Sequence, residues 1–155
     1  MNAPATPTQQ EQLQRAERQS RVVEALQSVL PGHALLWQAE DTVPYECDGL
    51  TAYRARPLVV ALPENEAQVA AVLKTCHALG VPVVARGAGT GLSGGAMPDT
   101  MGVTLSLAKF NRILKVDPLS RTAVVQCGVR NLAISEAAAP YGLYYAPDPS
   151  SQIAC

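Results

Sequence analysis

Residues 57–95 read PLVVALPENEAQVAAVLKTCHALGVPVVARGAGTGLSGG, and the order of patterns within them decides the fold. Leu58 to Leu62 is a short apolar, β-branched run bounded by Pro57 and Pro63, which reads as a buried strand. Asn65 is placed to cap a helix, with Gln68 three residues on. Val69, Val72, Leu73, Cys76 and Leu79 recur at helical spacing, and Gly80 supplies the stop. Val81, Val83 and Val84 read as a second buried strand. Strand, helix and strand with short joints make a βαβ unit, so the two strands are expected to run parallel with a right-handed crossover.

Directly after this unit comes Arg86-Gly87-Ala88-Gly89-Thr90-Gly91-Leu92-Ser93-Gly94-Gly95, in which five of ten residues are glycine. Without Cβ atoms, backbone N–H groups can turn inward together, and a concave set of amides holds phosphate oxygens without a lysine. Thr90 and Ser93 add hydroxyl donors, and Arg86 adds a positive charge at the strand end. Ordering so many glycines is costly in entropy. Close approach of a ligand to the backbone therefore explains the loop better than a flexible surface turn does.

Gly89-x-Gly91-x-x-Gly94 satisfies the dinucleotide fingerprint in letters. That fingerprint must follow the first strand of its unit and open a helix. Here the loop follows the second strand, and Met97-Pro98-Asp99-Thr100-Met101-Gly102 cannot start a long helix. Asp117 lies at a distance to be a ribose-binding acid, but Asp117-Pro118-Leu119-Ser120 reads better as a turn between strands. A P-loop fails too, because Gly95-Ala96 stands where Lys-Ser/Thr is required. The loop is expected to bind a pyrophosphate on backbone amides, without a helix dipole.

Outward from the loop, Val103 to Leu107 and Thr122 to Cys127 look like strands, Asn131 to Ala139 like a helix closed by Pro140 and Gly142, and Leu143 to Tyr145 like a short strand. Ala146 to Ser151 is a Pro-rich turn. Toward the N-terminus, residues 33–56 have no clear period. Leu13, Ala16, Val22, Val23, Leu26, Val29 and Leu30 make a helical stripe from Glu11 onward, ended by Pro31-Gly32. Residues 1–10, rich in Pro, Thr and Gln, are expected to be disordered.

The 155 residues carry 12 Lys and Arg against 13 Asp and Glu, a net charge of −1, with 48% hydrophobic residues. That suits a soluble globular domain and offers no basic stripe for nucleic acid or an anionic membrane. No window reaches a membrane span, and the polar N-terminus has no signal-peptide core, so a cytoplasmic location is expected. Cys47, Cys76, Cys127 and Cys155 are widely and irregularly spaced, which reads as small buried hydrophobes in a reduced compartment and speaks against a metal or iron–sulfur site.

Pro57 to Leu62, the following helix, Val81 to Ala85 and Arg86 to Gly95 together resemble the FAD-binding domain of the vanillyl-alcohol oxidase and p-cresol methylhydroxylase family. Ala146-Pro147-Asp148-Pro149-Ser150-Ser151 resembles that family's second flavin-contacting segment. Within it these segments are most similar to FAD-linked subunits that oxidise glycolate, and nearly as close to FAD-linked D-lactate and D-2-hydroxyglutarate dehydrogenases. The resemblance implies an α+β fold of the p-cresol methylhydroxylase type, a βαβ first lobe with the start of a second α/β lobe. It implies a tail and helix over 1–45 and an FAD-binding domain over 46–155.

It further implies that Arg86, Gly87, Ala88, Gly89, Thr90, Gly91, Leu92, Ser93, Gly94 and Gly95 wrap the FAD pyrophosphate, while Pro147, Asp148 and Ser151 lie along the flavin side. Some relatives attach FAD covalently through a His or Cys near this loop. Thr90 stands in that place here, so the implied FAD is non-covalent. His33 and His77 read as ordinary residues. The family's second lobe, cap domain and catalytic residues would lie beyond Cys155, so no catalytic residue is assigned. The implied reaction takes a small 2-hydroxy acid to a 2-oxo acid and passes electrons to a partner, an iron–sulfur subunit or a quinone. Two other classes stay open from the residues alone: a nicotinamide-dependent dehydrogenase with an unusual fingerprint, and a non-catalytic nucleotide-binding or assembly domain.

Overall fold

The structure, a computed structural model, describes residues 8–154. Helix α1 (Gln9–Gln27) opens on a complete capping box, in which Thr8 Oγ1 accepts the Glu11 N–H at 3.3 Å and Glu11 Oε2 accepts the Thr8 N–H at 2.7 Å. Of the segment expected to be disordered, residues 1–7 lie outside the described residues, and Thr8, Gln9 and Gln10 form the cap and first turn instead. The helix buries Val22 and Leu26, whereas Leu13 of the expected stripe is largely exposed. The aperiodic stretch after it holds only short elements, strand β1 (Leu35–Leu36) and the one-turn helix α2 (Ala39–Thr42), with 3-10 turns on either side.

Strand β2 (Val59–Ala61), helix α3 (Glu66–Ala78) and strand β3 (Val83–Arg86) follow where the sequence places them. Asn65 Oδ1 accepts the Gln68 N–H at 2.9 Å, and Gln68 Oε1 accepts the Glu64 N–H at 2.7 Å, one residue further back than a standard box. Leu73 falls off the buried stripe, which runs through Val72 and Cys76.

The two strands of the βαβ pattern are parallel but not neighbours. Strand β4 (Val103–Ser106) sits between them, parallel to both, in the order β1-β2-β4-β3, with β1 antiparallel to β2. All four residues of β4 are buried. Strand β3, expected to be buried, is instead the half-exposed edge. Pro82 fits that place: it has no N–H to give a further strand, and its carbonyl accepts the Val103 N–H at 2.9 Å. Val22, Leu26 and Leu30 share one core with Leu58, Val59, Val72, Cys76, Val103 and Leu105, so packing runs continuously across residue 45.

Past β4 the chain forms a separate antiparallel hairpin of β5 (Ile113–Asp117) and β6 (Thr122–Val125). In the sequence, only the turn at Asp117 and the strand after it stand out. Asp117 accepts the Ser120 N–H and the Lys115 ammonium, each at 3.1 Å, and these hold its carboxyl below the ordinary carboxylate range. Helix α4 (Asn131–Ala138) ends in a 3-10 turn through Pro140 and a left-handed Gly142 at φ +69. Leu143 to Tyr145, expected as a strand, forms none. The Tyr145 N–H is taken at 3.1 Å by Ser135 Oγ on α4 rather than by a neighbouring strand. Among the described residues, no helix is long and apolar enough to cross a membrane.

Candidate cofactor-binding site

Strand β3 ends at Arg86, and residues 87–102 carry the chain back to the start of β4 without a helix. A crossover between parallel strands is usually helical. Here the glycine loop replaces the helix, at the carboxyl end of the sheet where open α/β sheets bind ligands. With no helix N-terminus after the loop, the arrangement a nicotinamide fingerprint depends on is missing among the described residues.

None of the backbone amides from Gly87 to Gly95 donates a hydrogen bond among the described residues. Gly89 (φ +73) and Gly94 (φ +77) adopt left-handed backbone that other residues resist. Gly91 is different: its φ is not left-handed, and a Cβ built on it would meet nothing within 4 Å. The fold itself therefore does not require glycine at this position. A backbone that a ligand approaches closely does. Thr90 and Ser93 are exposed beside it, and Leu92 presents 72% of its surface to solvent.

Arg86 is held under the loop. Its Nη1 donates to Cys47 O at 2.7 Å, its guanidinium stands 5.7 Å from the centre of the Tyr45 ring, and a Cβ on Gly89 would collide with it. The positive charge is thus fixed beside the free amides by Tyr45 and Cys47, neither of which the sequence reading assigned to the site.

Gly87 and Ala88 line a cleft of about 290 Å³ with Ala108, Asn111, Cys127, Gly128, Val129, Arg130 and Ala154. This cleft joins the loop to the turn before β5, the turn after β6 and the C-terminal turn. Gly128 makes it possible, because a Cβ there would collide with Leu107 O and stand 2.9 Å from Phe110 O. Cys127, expected to be a buried strand residue, lies past the end of β6 and is exposed. Chain reversal at Gly128 brings it out. Cys47 is half-buried, Cys76 is buried as expected, and Cys155 lies outside the described residues.

The second predicted segment is only partly gathered in. Its turn docks on α4, with the Leu132 N–H donating to Gln152 O at 3.1 Å, and Ala154 reaches the cleft. Ser151 is half-buried, while Pro147 and Asp148 are exposed and do not line the cleft. Cleft residues from Ala108 to Arg130 carried no motif, and only Gly128, between the apolar residues Cys127 and Val129, hinted at a close approach. His33 and His77 are exposed, and His33 lies 3.6 Å from Glu64.

A family profile described as FAD binding domain matches residues 57–155. The glycolate oxidase subunit GlcD of Escherichia coli (strain K12) is 61% identical over 134 residues, covering 86% of this chain and 27% of that protein. The D-lactate dehydrogenase of Archaeoglobus fulgidus is 40% identical over 100 residues, covering 64% of this chain and 22% of that protein. The chain thus spans about a quarter of the length of these relatives. A crystal structure of p-cresol methylhydroxylase with substrate bound superposes with a TM-score of 0.72 at 24% identity, covering 82% of this chain and 25% of that one. The loop geometry, the mixed sheet and these matches agree: the chain belongs to the FAD-binding domain family and has the fold of the p-cresol methylhydroxylase type.

Proposed function

We propose that this chain is the FAD-binding front of a flavin-dependent 2-hydroxy-acid oxidoreductase. Arg86 to Gly95 form the pyrophosphate cradle, Pro147, Asp148 and Ser151 lie along the flavin side, and 46–155 is the domain that follows the tail and helix. The observation that carries the reading is the run of free amides beside Gly91, whose missing Cβ leaves open space. A diphosphate needs donors that converge and can be reached, and the loop supplies them without a lysine or a helix end. Bound there, FAD supplies the two-electron acceptor for oxidising a CH–OH group. This chain's residues bind and orient it: loop amides and the Arg86 charge at the phosphates, with the cleft beyond Ala88 as the route along which the rest extends.

The substrate class rests on the relatives. Similarity to the glycolate oxidase subunit favours glycolate, taken to its 2-oxo acid, and the D-lactate dehydrogenase supports D-lactate or another D-2-hydroxy acid as the second reading. That first relative is named as a subunit, which supports onward electron transfer to a partner subunit carrying iron–sulfur centres, in the cytoplasm or at a membrane through such partners. Thr90, with no side chain able to bond a flavin carbon, supports non-covalent FAD.

Gly91→Val tests the cradle. Its side chain enters space that protein atoms leave empty, so apo stability should be unchanged while FAD retention is lost. Undiminished flavin in a folded variant would count against the reading. Acid precipitation of the loaded protein should leave all flavin in the supernatant, and a flavin-bearing peptide in the pellet would contradict non-covalent binding. With a dye acceptor, the loaded complete protein should turn over glycolate or D-lactate, and activity on neither would remove the substrate class.

A further inference from the structure

The glycine loop rests on a segment that the family match does not reach. Tyr45 to Leu50 lies upstream of residues 57–155, yet it meets the loop closely. A Cβ on Gly49 would stand 2.7 Å from Thr90 O, 2.8 Å from Gly91 O and 3.1 Å from Leu92 Cδ2. The nearest loop atoms are thus two successive carbonyl oxygens. In a trans peptide, C=O and the following N–H point in opposite directions. With the Thr90 and Gly91 carbonyls turned toward Gly49, the N–H groups of Gly91 and Leu92 are turned away from it, to the loop's open side. Were those two peptides reversed, carbonyl oxygens would face the phosphates and repel them.

Asp48 shapes the chain at this point. Its Oδ1 accepts the Leu50 N–H at 2.9 Å, an Asx turn that bends the backbone around Gly49. The residue is 4% exposed, and its Oδ2 has no hydrogen-bond partner among the described residues. A buried carboxylate oxygen left unpaired lowers stability, so global stability does not account for Asp48, whereas a local turn held against the loop does.

We propose that the Asp48–Gly49 turn is the positioning element of the pyrophosphate loop: it keeps the Thr90 and Gly91 carbonyls on its own side and so aims the Gly91 and Leu92 amides at the phosphates. The proposal rests on the FAD reading above and adds to it what sets the direction of the loop's donors.

Gly49→Ala is the direct test. Gly49 has no left-handed φ, so its own backbone accepts alanine, and the only new feature is a Cβ under 3.0 Å from two backbone oxygens. The loop is exposed and its amides are free, so it can shift at little cost to the apo protein. FAD affinity, read by flavin fluorescence in the purified protein, should fall by about tenfold or more. The apo melting temperature should stay near that of the wild type. Asp48→Asn keeps an oxygen to accept the Leu50 N–H and should bind FAD as the wild type does, whereas Asp48→Ala should follow Gly49→Ala. Wild-type affinity in Gly49→Ala would overturn the proposal, as would an equal loss in Asp48→Asn and Asp48→Ala, or a melting temperature that falls in step with affinity. Should Gly49→Ala fail to fold, the Asp48 pair decides alone. Failure of the wild type to bind FAD would instead remove the functional reading itself.

Discussion

At the scale of the residue, Cys76 shows how burial turns an ordinary side chain into a pH-dependent one. It sits on α3 within the core at 1% exposure, and burial pushes its thiol up to about 11. In the unfolded chain a thiol ionises near ~8.5. The thiolate therefore forms readily only when the chain unfolds. The stability this contributes is complete below ~8.5 and is lost as pH rises from there toward about 11. Urea midpoints measured from pH 8 upward should fall more steeply for the wild type than for Cys76→Ala, although the variant starts lower for lack of packing. Equal slopes would show that Cys76 does not titrate with folding. Gly49 makes the complementary point, since a Cβ there would stand under 3.0 Å from the Thr90 and Gly91 carbonyl oxygens.

Among the elements, α3 connects β2 to β3, which flank β4 in the sheet. It starts at Asn65, whose backbone is extended (φ −153, ψ 166) and whose side chain takes the Gln68 N–H. Replacing a capping Asn by Ala costs ~1 kcal/mol, and Asn65→Ala should lower global stability by about that much in denaturant melts. Asn65→Asp keeps the acceptor and adds a negative charge at the helix N-terminus, so it should match or exceed the wild type. A loss in Asp equal to that in Ala would mean that the bond to Gln68 contributes nothing. FAD binding should be unaffected in both variants, because the side-chain bond of the cap is made to Gln68 on α3 and neither residue lines the cleft beside the glycine loop.

For the whole molecule, apolar surface is distributed unevenly. The core around β2 and β4 is closed, whereas the hairpin and the C-terminal turn expose Leu114 at 57%, Leu119 at 98%, Val124 at 54%, Tyr144 at 77% and Ile153 at 68%. The hairpin has two strands, and the outer edges of both are unpaired among the described residues. Open edges and clustered apolar groups promote association. The 155-residue chain should therefore sediment faster as its concentration rises, and Leu114→Lys with Val124→Lys should restore a concentration-independent monomer. A wild-type chain with one sedimentation coefficient at all concentrations would contradict this.

What the sequence determined by itself is the set of features set by near neighbours: the apolar run of β2, the Asn65 cap, the helical stripe through Val72 and Cys76, and the glycine density of 86–95. Each depends on residues a few positions apart, so a linear reading can find it. Only the tertiary structure decided that β4 enters between β2 and β3, that β3 is an edge, and that Gly49 meets a loop about forty residues away in sequence. It also decided that Ser135 takes the Tyr145 amide and keeps it from a strand. An apolar strand can pair on either side, and its composition does not name its neighbour. Nor does a glycine announce whether it is spared a Cβ for a turn, a carbonyl or a ligand. Those choices are made by contacts between distant segments, which exist only once the chain has folded.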